Sequence, residues 1–505
     1  MLNYSSVHSE LLPGSLYLTT MHLSASNTNP VVDNHDQLPV SVTQWIHCEQ
    51  ALLPDGWAEQ VLIGIDSGGT IQDVRCDVAT DYPDSAVQYL SGCLLPGMPN
   101  LHSHAHQRAM AGLAEQAGPG GDSFWTWREV MYRYAQRLQP RQLQAVAAQA
   151  YLEMLEAGYT AVTEFQYLHH DPAGKPYAQR AEMSLRVLAA ARETGIGITV
   201  LPVLYRYAGF GGQKAGPGQQ RFINNSDEYL EIYQQLKSQL QRGGNEAVGI
   251  APHSLRAVSA ELLTEVLQGG TGQTLRPIHI HIAEQQGEVE DCLAWSGQRP
   301  VAWLLEHFDV DASWCLVHAT HLLDHECTAL ARSGAVAGLC PTTEANLGDG
   351  LFPMRSHLQA GGQFGIGSDS HISISPVEEL RWLEYGQRLQ GQCRNALVSA
   401  EQHSGRFLYE AALQGGAQAS GRALGRIAPG CRADFVVLDC QHPVLFGRHR
   451  DALLDSWIFS GNNSPVRDVF VAGRQLVQSG HHINSEQITR QYRTTINELL
   501  AADTV

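Results

Sequence analysis

Basic residues are scarce in this sequence. Of its 505 residues, 33 are Lys or Arg against 51 Asp or Glu, a formal net charge of -18. A surface this acidic repels a phosphate backbone, so no nucleic-acid partner is expected. No Lys or Arg precedes Arg75, so the positively charged start of a secretory signal is missing. No apolar run reaches the ~20 residues that span a bilayer, and no membrane partner is expected. The 10 cysteines include no C-x-x-C pair. Cys93, Cys292, Cys315 and Cys340 sit in or beside apolar runs, as reduced core cysteines do. The cytoplasm is therefore the expected compartment. What is present is 43% hydrophobic residues with 17% charged, enough apolar material for a large core.

Residues 1–40 are rich in Ser, Thr, Asn and His without a clear period and read as a poorly ordered extension. Short strand-like pieces follow around Ile46, Ile63 and Ile71, broken by Asp-Gly and Gly-Gly turns. The same texture returns around Phe435 and Phe470, so the two ends are expected to pair into one small β-sandwich domain, residues 41–94 with 425–485. A C-terminal helix is expected over 486–505. Between them, residues 95–424 alternate apolar strands with helical stretches such as Arg141 to Ala157, which stops at Gly158. The strand candidates are 94–102, 160–165, 198–204, 248–253, 278–284, 315–320, 335–340 and 364–369. Eight such units in order predict a (β/α)8 TIM-like barrel; an open parallel sheet is the alternative.

Barrel enzymes place their active sites at the C-terminal ends of the strands. His102 and His104 close the first strand, two apart and so on one face, where both imidazoles can reach one metal. An H-x-H pair alone is weak, because most such pairs are surface or core histidines. The fifth strand carries His279, His281 and Glu284, the sixth ends at His318 and the eighth at Asp369. A buried histidine is usually a hydrogen-bonded core residue, and a strand-end Asp is often a helix cap. Four strand ends that all supply His or Asp point instead to a metal site. His281 lies nearer the strand end than His279 and is the better ligand, with His279 packed deeper.

In that order, His102-Ser103-His104, His281, His318 and Asp369 resemble the amidohydrolase superfamily over about residues 41–485, the split β-domain included. One branch is more similar. Residues 95–104, 107–113, 279–285, 344–350 and 367–371 resemble the branch that deiminates N-formimidoyl-L-glutamate in bacterial histidine breakdown. One departure is His106, where that branch leads us to expect an aromatic such as Phe. Two-metal members carry a carboxylated Lys on the fourth strand, which here ends at His253-Ser254 without one. The resemblance therefore implies one zinc per subunit on His102, His104, His281 and Asp369, although some relatives use iron. It implies catalytic roles for Glu284, His318 and Asp369. Asp369 would move the water proton, Glu284 would orient the cationic amidine, and His318 would stabilise the attacking oxygen or relay a proton near it. It places the carboxylates of a small dicarboxylate amidine on Gln107, Arg128, Tyr167, His253 and Arg256. A homodimer is implied too.

Two other functions stay open. A purine, pyrimidine or triazine aminohydrolase would want stacking aromatics and amides in place of Arg128 and Arg256. A non-catalytic scaffold would have lost its ligands, yet all are present. Release of formamide in place of ammonia is a third outcome, on which residue spacing is silent.

Overall fold

The computed structural model describes residues 42–78, 87–116, 124–241, 243–269 and 275–501. The expected extension, residues 1–40, lies outside them, as do the last four residues of the expected C-terminal helix.

Eight parallel strands make the barrel. They are Met98–Ser103, Tyr159–Gln166, Gly197–Leu204, Glu246–Val248 with Ala251–Pro252, Ile278–Ile282, Trp314–His318, Val336–Leu339 and Gln363–Ile366. Each pairs in parallel with the next. Tyr159–Gln166 and Gly197–Leu204 are buried at every position, as strands covered on both faces must be. The first and eighth strands meet through a parallel bridge between Ser103 and Asp369. That bridge closes the ring, which an open sheet lacks. Gly367 permits the approach: a Cβ there would lie 2.7 Å from the His102 carbonyl oxygen.

The helix Pro140–Ala157 begins with Pro in its first turn and ends at Gly158, whose φ of 104° is the left-handed conformation that glycine adopts without strain. Another helix, Ser404–Ser420, closes the bottom of the barrel. Thr199 Oγ1 donates to the Ser420 carbonyl at 2.8 Å, and His279 Nε2 lies 2.8 Å from the Ala419 carbonyl. His279 thus belongs to the floor.

Strands from both ends of the chain form one eight-stranded sheet beside the barrel. Its centre is Val87–Pro96, parallel to Gln44–Leu53 and antiparallel to Phe435–Leu438. Ile46, Ile63, Leu94, Phe435 and Phe470 fill its core. The expected strand over 94–102 divides here. Its first part ends at Pro96 in this sheet, and the barrel begins at Met98. Gly97 is the joint: its N–H donates to the Asp434 carbonyl, and a Cβ would meet the Thr160 side chain at 2.2 Å. Gly97→Ala is expected to destabilise the protein by about 1–3 kcal/mol through overpacking. A lowered urea midpoint with unchanged slope would report it; an unchanged midpoint would contradict it.

Candidate active site

The barrel-closing bonds fall where the polar residues gather. The Asp369 N–H donates to the His102 carbonyl at 3.0 Å, and the His104 N–H to the Asp369 carbonyl at 3.1 Å. His318 and Asp369 have φ of 66° and 43°, left-handed values that are uncommon away from glycine and often mark functional sites.

His102, His104, His281 and Asp369 converge, with one donor atom from each within 4.8 Å of the others. His102 Nε2 lies 3.2 Å from His104 Nε2 and 3.0 Å from His281 Nε2. Asp369 Oδ1 is 3.4 Å and 3.3 Å from the nitrogens of His102 and His104. The far nitrogens fix the tautomers. His104 Nδ1 faces the Phe165 carbonyl at 2.9 Å and His281 Nδ1 the His253 carbonyl at 3.1 Å, so each Nδ1 carries the proton and each Nε2 a lone pair. Burial lowers all three histidines, His102 to about 3, and keeps them neutral. The Nε2 lone pairs of His104 and His281 and the Asp369 carboxylate thus turn toward one small space beside His102, which a cation would fill. Three imidazoles and a carboxylate are the donor set that a divalent ion such as zinc accepts, so these residues fit a metal.

His318 stands beside this cluster, its ring stacked on His281 at 5.4 Å. Its Nδ1 is 3.3 Å from Glu344, and its Nε2 3.9 Å from both Glu284 and Asp369. Burial alone would lower His318, but Glu284, Glu344 and Asp369 outweigh it and push it up to about 10. Burial pushes Glu284 up to about 7, against the pull of His318 and Arg256.

Above the cluster opens a cavity. All five residues expected to bind substrate line it: Gln107, Arg128, Tyr167, His253 and Arg256. So do His104, His281, Glu284, His318 and Asp369, while His102 lies beneath. Arg128 comes from the helix Phe124–Ala135, its guanidinium 5.5 Å from the Tyr132 ring. Arg256 is buried, with Glu288 3.8 Å away and, among the described residues, no hydrogen-bond partner on its Nε. The Tyr167 hydroxyl takes a hydrogen bond from Gln107 Nε2 at 3.1 Å and lies 2.8 Å from His106 Nε2. The departure at His106 thus bears on Tyr167 and leaves the metal cluster intact.

Several lining residues escape sequence reasoning. Tyr205, at the end of the third strand, packs on His253 at 4.7 Å, and Trp127, Tyr132 and Phe222 complete an aromatic wall. Asp349, which is not part of the lining, is bonded by the Gln285 side chain, and burial, with Glu284 near, pushes it up to about 9. The signal for Tyr205 was its strand-end position. Nothing local marks the others.

Comparison with known proteins agrees with this geometry. The Amidohydrolase family pattern matches residues 93–476, and that of the N-terminal domain of formimidoylglutamate deiminase HutF matches residues 43–86. The chain belongs to the amidohydrolase family. Within it, this chain is 55% identical to a formimidoylglutamate deiminase from Pseudomonas aeruginosa, over 90% of its own length and 99% of that protein's. A 5-methylthioadenosine/S-adenosylhomocysteine deaminase from Haloarcula marismortui is 26% identical over 85% of this chain and 91% of that protein. Among solved structures, an amidohydrolase from Brucella melitensis superposes with a TM-score of 0.85 at 48% identity, covering 91% of this chain and all of that one.

Proposed function

We propose that this protein hydrolyses N-formimidoyl-L-glutamate to N-formyl-L-glutamate and ammonia, as a step of histidine degradation. The observation that carries the reading is the charge pattern of the cavity. Glu284 stands beside the metal-binding cluster, and Arg128 and Arg256 line the same chamber. The substrate presents one cationic amidine and two carboxylates. The 55% identity to a formimidoylglutamate deiminase supports the same assignment.

His102, His104, His281 and Asp369 would hold one zinc ion. Bound there, zinc would bring the pKa of a water to about 7. Asp369 has one oxygen among the histidine nitrogens and the other toward His318. It is set to take the water proton and pass it to the departing nitrogen. Glu284 holds the amidinium nitrogen, and its charge opposes the cation as an amide would not. His318, kept protonated by its three carboxylates, donates to the oxygen that adds to carbon. The C–O bond forms, the C–N bond to the terminal nitrogen breaks, and ammonia leaves. Arg256, Arg128, His253, Gln107 and Tyr167 bind the carboxylates. A homodimer in the cytoplasm, and domain limits at Gly97, three residues beyond the expected limit at 94, and at residue 424, complete the proposal, the dimer by resemblance to the family.

The aromatic wall favours a second reading, deamination of a ring. Arg256→Met separates the two. For the linear substrate, kcat/KM is expected to fall by about 10²–10⁴-fold, mostly through KM, because a buried carboxylate loses its charged partner. Steady-state kinetics with N-formimidoyl-L-glutamate and with adenosine check it. Unchanged kcat/KM for the former, or faster turnover of the latter by the parent, would favour the ring.

A further inference from the structure

We propose that Glu164 is a positioning residue of the metal site, which its carboxylate clasps from the second barrel strand. The inference rests on the zinc reading above. Glu164 is fully buried and joins none of the ion pairs among the described residues. A carboxylate taken out of water is costly unless its oxygens are bonded, and both oxygens here are bonded by one short segment. Oε2 accepts the Ser103 hydroxyl at 2.6 Å, and Oε1 accepts the Ala105 N–H at 2.8 Å. Those two donors flank His104. The neighbouring Phe165 carbonyl holds the His104 ring from the same strand.

The clasp continues into a belt. Ser103 Oγ lies 3.1 Å from His371 Nε2, and His371 Nδ1 lies 3.0 Å from Ser368 Oγ. Ser368 Oγ accepts from Asn100 Nδ2 at 2.6 Å, and Asn100 Oδ1 accepts the Ser368 N–H at 3.1 Å. The belt ties the second strand to the first and eighth, the two that carry His102, His104 and Asp369. None of its members belongs to the metal cluster or lines the substrate cavity. Glu164 is the belt's one carboxylate. Outer partners of metal ligands commonly set affinity by about 10–100-fold.

The test is zinc affinity, by chelator competition, on the parent, Glu164→Gln, Ser103→Ala and the double variant, with the urea midpoint of each zinc-free protein alongside. Glu164→Gln keeps the volume and is expected to weaken zinc about 10–100-fold. The double variant is expected to be no weaker than the weaker single one, because both act through the same Glu164–Ser103 contact. The absorption bands of the cobalt-loaded Glu164→Gln protein are expected to shift as well. Zinc affinity within about threefold of the parent, with only the midpoint lowered, makes Glu164 a plain core residue and overturns the proposal. Should Glu164→Gln not fold, Ser103→Ala, the smaller cut, is judged by the same criterion. Failure of the zinc reading looks different: the parent would bind zinc no better than His281→Ala, and both ideas fall.

Discussion

His281→Ala is expected to empty the metal site and to lower kcat/KM at least about 10³-fold, or about 4 kcal/mol of transition-state stabilisation. His281 supplies an Nε2 that lies 3.0 Å from that of His102. Without it one of the cluster's four donors is gone, and the two imidazoles and one carboxylate that remain are expected to hold zinc far more weakly. The fold should survive, because the ring's one backbone bond, to the His253 carbonyl, lies beside the cavity and the β-domain core is remote. Metal analysis and kinetics on one preparation check this. A variant that kept a full zinc complement and parental turnover would remove His281 from the ligand set.

Glu284→Gln is expected to have the next largest effect, about 10²–10⁴-fold in kcat/KM, the range for loss of a positioned acid–base group. Its signature lies in the pH profile. Burial pushes Glu284 up to about 7, so as pH falls through that value the carboxylate gains a proton and loses the charge that faces the cation. Activity is therefore lost on the acid side. Water acidified by zinc titrates at about the same pH. Below about pH 6 the slope of log kcat/KM is expected to approach two in the parent and one in Glu284→Gln. Equal slopes would mean that the Glu284 charge is not needed for turnover.

The convergence of His102, His104, His281 and Asp369 was legible because strand period and strand ends are local properties. Two residues apart on a strand share a face, so position along the chain is enough to pair His102 with His104 and to rank His281 above His279. Eight apolar runs in order pointed to the barrel, but closure was not readable, since the Ser103–Asp369 bridge joins residues 266 apart in sequence. The joint at Gly97 was missed because residues 94–99 are apolar throughout, and only contact with Thr160 and Asp434 tells where one sheet stops. Glu164 read as one more strand residue. Its meaning depends on the Ser103 hydroxyl and the Ala105 N–H, which the fold brings from 61 and 59 residues away. The aromatic wall was hidden likewise, as Tyr132, Tyr205 and Phe222 come from separate segments.

The most direct test of the proposed function is product analysis by carbon NMR, with zinc-loaded protein and substrate labelled at the formimidoyl carbon. Glu284 beside the cluster and the arginines of the same chamber predict that the label appears in N-formyl-L-glutamate, with one ammonia per turnover. Label in formamide with free glutamate would mean that the other C–N bond breaks, and no turnover by the folded, zinc-containing protein would contradict the substrate itself.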